Sequence, residues 1–132
     1  MYSKGVIYYA RFTKMEKQRI FMKYHGSCHC QKVKFSSEFE LHQPTLCNCS
    51  YCHKRNAVVH VVDNIDVYEG KVELTCYKFN KMKGAHYFCK HCGIFIYLTP
   101  PEPFFPYAIN LCALDECDWN KIALHHFDGK SL

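Results

Sequence analysis

From Tyr24 onward, hydrophobic and polar positions alternate or bunch in short runs, and neither pattern has the period of a helix. Val33 and Phe35 alternate with Lys32, Lys34 and Ser36, the two-residue repeat of a half-buried strand. Ala57 to Val62 is a short, β-branched, nearly continuous apolar run, which predicts a strand covered on both sides. After the turn signal Glu69-Gly70, Val72, Leu74 and Cys76 alternate with Glu73, Thr75 and Tyr77. His86-Tyr87-Phe88 leads into a cysteine pair, and Ile94 to Leu98 leads out of it. Pro100, Pro101, Pro103 and Pro106 impose an extended, non-helical loop, and Tyr107 to Leu111 resumes as a strand. Only Leu114 to Lys121 offers a helical turn, with Asp115 as its cap. The expected class is mainly β, in one domain.

Ahead of this pattern, residues 1–22 read as a separate basic leader, expected to be flexible, with the domain proper over residues 23–132. Composition agrees with a folded body. Aromatic residues reach 16% of the 132, which favours strands. The net charge of +5 lies wholly in residues 1–23, where six Lys/Arg face Glu16 alone. The rest is electrically balanced, which argues against a surface built to grip nucleic acid. No apolar run approaches the ~18 residues of a membrane span. Val6 to Ala10 is too short for a secretory core, so a cytoplasmic protein with reduced cysteines is expected.

Ten cysteines then change the picture. Three clusters stand out: Cys28-His29-Cys30, Cys47-Asn48-Cys49-Ser50-Tyr51-Cys52, and Cys89-Lys90-His91-Cys92-Gly93. Short spacings let one tight turn deliver two thiolates to a tetrahedral zinc ion, and Gly93 marks the sharp bend such a turn needs. Two pairs make one closed site. The pairing of Cys28 and Cys30 with Cys89 and Cys92 is preferred because it leaves the triple cluster, Cys47, Cys49 and Cys52, free. The fourth position of that second site is open to Cys76, Cys112, His53 or a ligand from outside. Cys76, Cys112 and Cys117 are otherwise expected as buried apolar residues, and His91, His125 and His126 as surface groups. Zinc with three thiolates carries a net charge of −1, which suits a soft fourth ligand such as a substrate thiolate better than water. Lys54 and Arg55 could neutralise an anionic substrate or simply be solvated.

The motifs His25-Gly26-Ser27-Cys28-His29-Cys30, Cys47 to Lys54, His86 to Gly93 and His126-Phe127-Asp128-Gly129-Lys130-Ser131 together resemble the glutathione-dependent formaldehyde-activating enzyme family, which also includes centromere protein V. The resemblance runs from about Tyr24 to the C-terminus. It implies a β-tent fold of stacked antiparallel sheets around two zinc ions per chain. The structural zinc would sit on Cys28, Cys30, Cys89 and Cys92, and the catalytic zinc on Cys47, Cys49 and Cys52. The implied activity is that of a carbon–sulfur lyase joining or separating glutathione and formaldehyde, with a small thiol or thiol adduct as partner. The alternative is a non-catalytic zinc scaffold of the centromere protein V type. Gln31 stands where the family has Gly, and Ile94-Phe95-Ile96-Tyr97 replaces its His-Pro-Phe-like segment.

Overall fold

Each short run of the sequence becomes a strand because it has one face to bury and a turn at either end. The computed structural model describes residues 21–79, 84–101 and 103–131. Strands β1 (Met22–Ser27), β2 (Lys34–Phe39) and β5 (Asp66–Glu69) form a small sheet in the order β1-β2-β5. The large sheet is built from β3 (Thr45–Cys47), β4 (Val59–Val62), β6 (Leu74–Phe79), β7 (Gly84–Cys89), β8 (Phe95–Thr99), β9 (Tyr107–Asn110) and β10 (His125–Phe127). Its order is β10-β3-β4-β9-β8-β7-β6. Every pairing is antiparallel except that of β10 with β3, which is parallel, a departure from the all-antiparallel expectation. The class is mainly β with two sheets, as expected.

The core lies between the sheets. Tyr24, Phe35 and Phe39 from the small sheet meet Val62, Ile96 and Ile109 from the large one. Backbone contacts lock the two layers, with Gly26 bridging Leu114 and the Asp115 N–H donating to the His25 carbonyl at 2.8 Å. A Cβ on Gly26 would lie 2.5 Å from the Ala113 carbonyl oxygen and 2.7 Å from the Phe35 ring, so only glycine permits this approach. His60, 2% exposed, sits in the same interior. Its Nδ1 donates to the Val61 carbonyl at 2.8 Å, and its Nε2 accepts the N–H groups of His42 at 3.2 Å and Gln43 at 3.1 Å. Those bonds require the neutral ring, and burial pushes its pKa down to about 4.

Several local expectations are corrected. The only α-helix among the described residues is α1 (Ser50–Arg55). Residues 114–121 instead hold a single 3-10 turn at Trp119–Lys121, and the start of the segment is tied to β1 by the Asp115 N–H on the His25 carbonyl. Val72, 78% exposed, lies in the 3-10 turn Lys71–Glu73, so the strand begins only at Leu74. That strand, β6, is the edge of the large sheet, which leaves Cys76 exposed rather than buried. Cys112 is likewise exposed, in the 3-10 turn Leu111–Ala113, and Cys117 is half-buried. Val61 is 45% exposed, so the run from Ala57 to Val62 is covered on both sides only in part. The leader lies outside the described residues up to residue 20; Met22 already pairs with Phe39. No helix among the described residues is long and apolar enough to cross a membrane.

Candidate metal centres

Two turns of like design bring the first four cysteines together. Cys28 closes on itself through its N–H to the Val33 carbonyl at 3.1 Å, and the Gln31 N–H donates back to the Cys28 carbonyl at 3.2 Å. Gln31 has φ 70°, the left-handed region that favours glycine, which is why a glycine suits this place. After β7 the pattern repeats, with Cys89 N–H to the Ile94 carbonyl at 3.0 Å and Gly93 N–H to the Cys89 carbonyl at 2.8 Å. Gly93 has φ 80°, the bend foreseen from the sequence.

The sulfurs of Cys28, Cys30, Cys89 and Cys92 all lie within 4.8 Å of one another. Cys28 to Cys30 is 3.6 Å and Cys30 to Cys89 is 3.7 Å. A tetrahedron with zinc–sulfur bonds of about 2.3 Å has edges of about 3.8 Å, so the four sulfurs fit one ion. Backbone N–H groups of Val33 and His91 support the sulfurs of Cys28 and Cys89, each at 3.3 Å. At Cys30 the Lys32 N–H favours the thiolate, but desolvation and the neighbouring thiols outweigh it and push the pKa up to about 11. At Cys92 desolvation is outweighed by the N–H groups of Cys30 and Ile94 and by the thiols of Cys89 and Cys28, which bring the pKa down to about 6. His91 is exposed and meets Glu73 at 2.6 Å.

The second group is local. Cys47 ends β3, Cys49 caps α1 and Cys52 lies in that helix. The cap is a sulfur atom: Cys49 Sγ accepts the Cys52 N–H at 3.3 Å, and Cys47 Sγ in turn accepts the Cys49 N–H at 3.4 Å. The three sulfurs lie within 4.8 Å of one another, and among the described residues no fourth Cys, His, Asp or Glu joins them. Burial pushes the Cys47 thiol up. Burial also opposes ionisation of Cys49, but the N–H groups of Cys52 and Tyr51 hold its charged form and bring it below the ordinary thiol range. Burial pushes Cys52 up to about 12 against the pull of Arg55. Thiols so placed ionise together only around a cation, and sulfur donors suit zinc.

The chain's last segment folds over this group. Asn48 donates through Nδ2 to Asp128 Oδ1 at 3.0 Å and accepts the Lys130 N–H on Oδ1 at 2.8 Å. A Cβ on Gly129 would stand 2.6 Å from Cys47 Sγ, so the backbone there rests almost on the sulfur. Hydrogen bonds from Ser131 and Asn48 hold the Asp128 carboxyl below its usual range. A cavity of about 220 Å³ opens beside Cys47, lined also by His53, His126, Phe127 and Asp128. A larger one of about 420 Å³ lies beyond α1, with Tyr51, Arg55, Phe95 and Cys112 on its walls.

All seven cysteines singled out from the sequence thus fall into the two groups, in the preferred pairing. His53, Cys76 and Cys112 do not join the second group. His125 and His126 are exposed, in β10. Lys54 is exposed, but Arg55 is engaged, donating from Nη2 to Cys52 Sγ at 3.2 Å and from Nη1 to His86 Nδ1 at 2.9 Å. Asn48, His86 and Gly129 were not foreseen individually. The position of Asn48 between two ligating candidates was the available signal for the first.

Two comparisons bear on this arrangement. The model of the family described as "Glutathione-dependent formaldehyde-activating enzyme" matches residues 23–128. The crystal structure of a Rhodobacter sphaeroides protein is similar with a TM-score of 0.68 and 26% sequence identity, over 80% of this chain and 99% of that one.

Proposed function

The chain belongs to the glutathione-dependent formaldehyde-activating enzyme family, and on that premise we propose that its three-cysteine centre is the working site of a zinc-dependent carbon–sulfur lyase-like enzyme. Its substrate is a small thiol adduct such as S-hydroxymethylglutathione. One observation carries the reading: four sulfurs converge at one centre, but only three at the other among the described residues. Structural zinc is closed by protein, whereas working zinc keeps one position for a ligand. Bound by Cys47, Cys49 and Cys52, zinc would supply a soft Lewis acid that keeps a substrate sulfur ionised.

The chain's own residues do the rest. The cavity of about 220 Å³ beside Cys47 admits a small adduct, with Phe127 as an apolar wall and Asp128 as a fixed polar edge. In the breakdown direction the carbon–sulfur bond breaks, its electron pair stays on sulfur, and the hydroxyl oxygen loses its proton as the carbonyl forms. His53 and His126 line the same cavity and are the imidazoles within reach of that proton. The four-cysteine centre holds the second zinc and serves the fold. Both centres need reduced thiols, which fits a cytoplasmic setting.

The test is exchange of carbon-13 formaldehyde with S-hydroxymethylglutathione, followed by magnetisation-transfer NMR on the full chain carrying two zinc ions. The protein should accelerate exchange over the uncatalysed rate, and Cys49→Ser should abolish the acceleration. Exchange at the uncatalysed rate with any of a panel of small thiols would remove the reading.

A further inference from the structure

Arg55 occupies the last turn of α1, three residues after Cys52, and so lies over that sulfur. Its guanidinium cannot give up its proton, so both of its bonds are donated. Nη2 reaches Cys52 Sγ at 3.2 Å, and Nη1 reaches His86 Nδ1 at 2.9 Å. His86 Nδ1 must therefore be the unprotonated nitrogen, and the ring is neutral. Aromatic faces complete the enclosure, with the guanidinium carbon 3.7 Å from the Phe95 ring centroid and 4.8 Å from that of Tyr51. Nε is buried without a hydrogen-bond partner. A cation bonded on two sides and packed against two rings is held in place, and its charge acts on the sulfur at short range.

The four-cysteine centre has no counterpart to this contact. Among the described residues its sulfurs take N–H groups from the backbone, those of Val33, His91, Lys32, Cys30 and Ile94, which carry no net charge. Three thiolates around a divalent ion sum to −1; Arg55 brings the total to zero. A thiolate arriving as fourth ligand then restores −1, where without Arg55 it would build −2 in a half-buried site.

We propose that Arg55 is a positioning residue that sets the charge of the three-cysteine centre so that it takes an anionic sulfur ligand in preference to a neutral donor, with His86 holding the guanidinium in place. The proposal rests on the reading of that centre as open to a thiol. It differs from a contact between Arg55 and the substrate, because the arginine acts through Cys52.

The test uses the full chain loaded with two cobalt(II) ions, whose visible and near-ultraviolet bands report sulfur ligation directly. Wild type, Arg55→Gln, Arg55→Lys and His86→Gln are titrated with glutathione as the anionic probe and imidazole as the neutral one. Arg55→Gln should weaken glutathione binding about tenfold or more, the loss of one charge-assisted bond, and leave imidazole binding unchanged or stronger. Arg55→Lys should recover part of the glutathione affinity, and His86→Gln should lose a smaller part. Equal affinities for glutathione in wild type and Arg55→Gln overturn the proposal while leaving the open centre standing. A wild-type protein that binds no thiol overturns both. Should Arg55→Gln fail to fold, Arg55→Lys decides: a kept preference for glutathione over imidazole supports the charge account, and its loss overturns it.

Discussion

The first centre draws Cys30 and Cys89 together across 59 residues of chain, while the second takes all its sulfurs from the six-residue stretch Cys47 to Cys52. At the first, Cys28 and Cys89 are 1% and 0% exposed and belong to the main core. Cys30 is exposed at its rim; at the second, only Cys52 is buried, and Cys47 lines a cavity. On the proposed reading the difference separates two uses of one chemistry. A remote pair of turns joined through metal would close a long loop of the unfolded chain and stabilise the fold, whereas a local triple would add little closure and leave a coordination place beside a pocket.

Single cysteine replacements break the comparison most sharply. Cys89→Ser should cost about 3 kcal/mol or more, because structural metal binding is part of the folding free energy, and lower the melting temperature by about 10 °C or more. Cys49→Ser should cost clearly less in a thermal melt but remove thiol binding. Equal melting temperatures would dissolve the distinction.

The glycines come next. Gly26→Ala drives a Cβ against the Ala113 carbonyl and the Phe35 ring, so it should lower stability by about 3 kcal/mol, the upper range of overpacking. Gly129→Ala drives its Cβ against Cys47 Sγ. It should instead lower zinc content or thiol affinity at the second centre, with a smaller change in melting temperature. Calorimetry with metal analysis of both variants reads the contrast, and a Gly129→Ala protein with normal metal and thiol binding would contradict it.

Much of this was legible from sequence, for a physical reason. Alternation reports burial, so β2 could be located from Val33 and Phe35, although Ser36 and Ser37 are buried there as well, and the Cys-x-Cys and Cys-x-x-Cys spacings report the reach of a tight turn. Helix α1 could not be read, because six residues carry no helical period and its cap is the sulfur of Cys49 rather than a serine or aspartate. Cys76 looked interior because it alternates, but alternation cannot tell an edge strand from a central one. The parallel contact of β10, and with it the closeness of Gly129 to Cys47, depends on tertiary assembly alone.

A third prediction concerns the core that the first centre ties together. His60 has a folded-state pKa of about 4, below its ordinary value, so the unfolded chain takes up the proton first as pH falls. Its contribution is present above pH ~6.5 and is lost progressively between ~6.5 and about 4, at up to about 1.4 kcal/mol per pH unit. Wild type should therefore lose melting temperature faster than His60→Gln between pH 6.5 and 5. Metal release by acid is common to both proteins, and parallel curves would refute the assignment. The smallest effect is expected from Glu73→Gln, which removes the partner of His91 at the rim of the first centre. An exposed pair of this kind contributes little, so zinc content should stay at two ions and stability should barely move. A large loss would mean that the first centre depends on its surroundings as much as the second.

The central claim is that one centre is closed by the chain and the other is open to a thiol, and zinc X-ray absorption on the wild-type protein tests it most directly. Seven cysteine sulfurs shared between two ions should give about 3.5 sulfurs per zinc, with a lighter neighbour making up a four-coordinate shell. Adding glutathione should replace that neighbour and raise the average to about four sulfurs. A shell that is already all sulfur in the free protein, or one that glutathione leaves unchanged, would contradict the account.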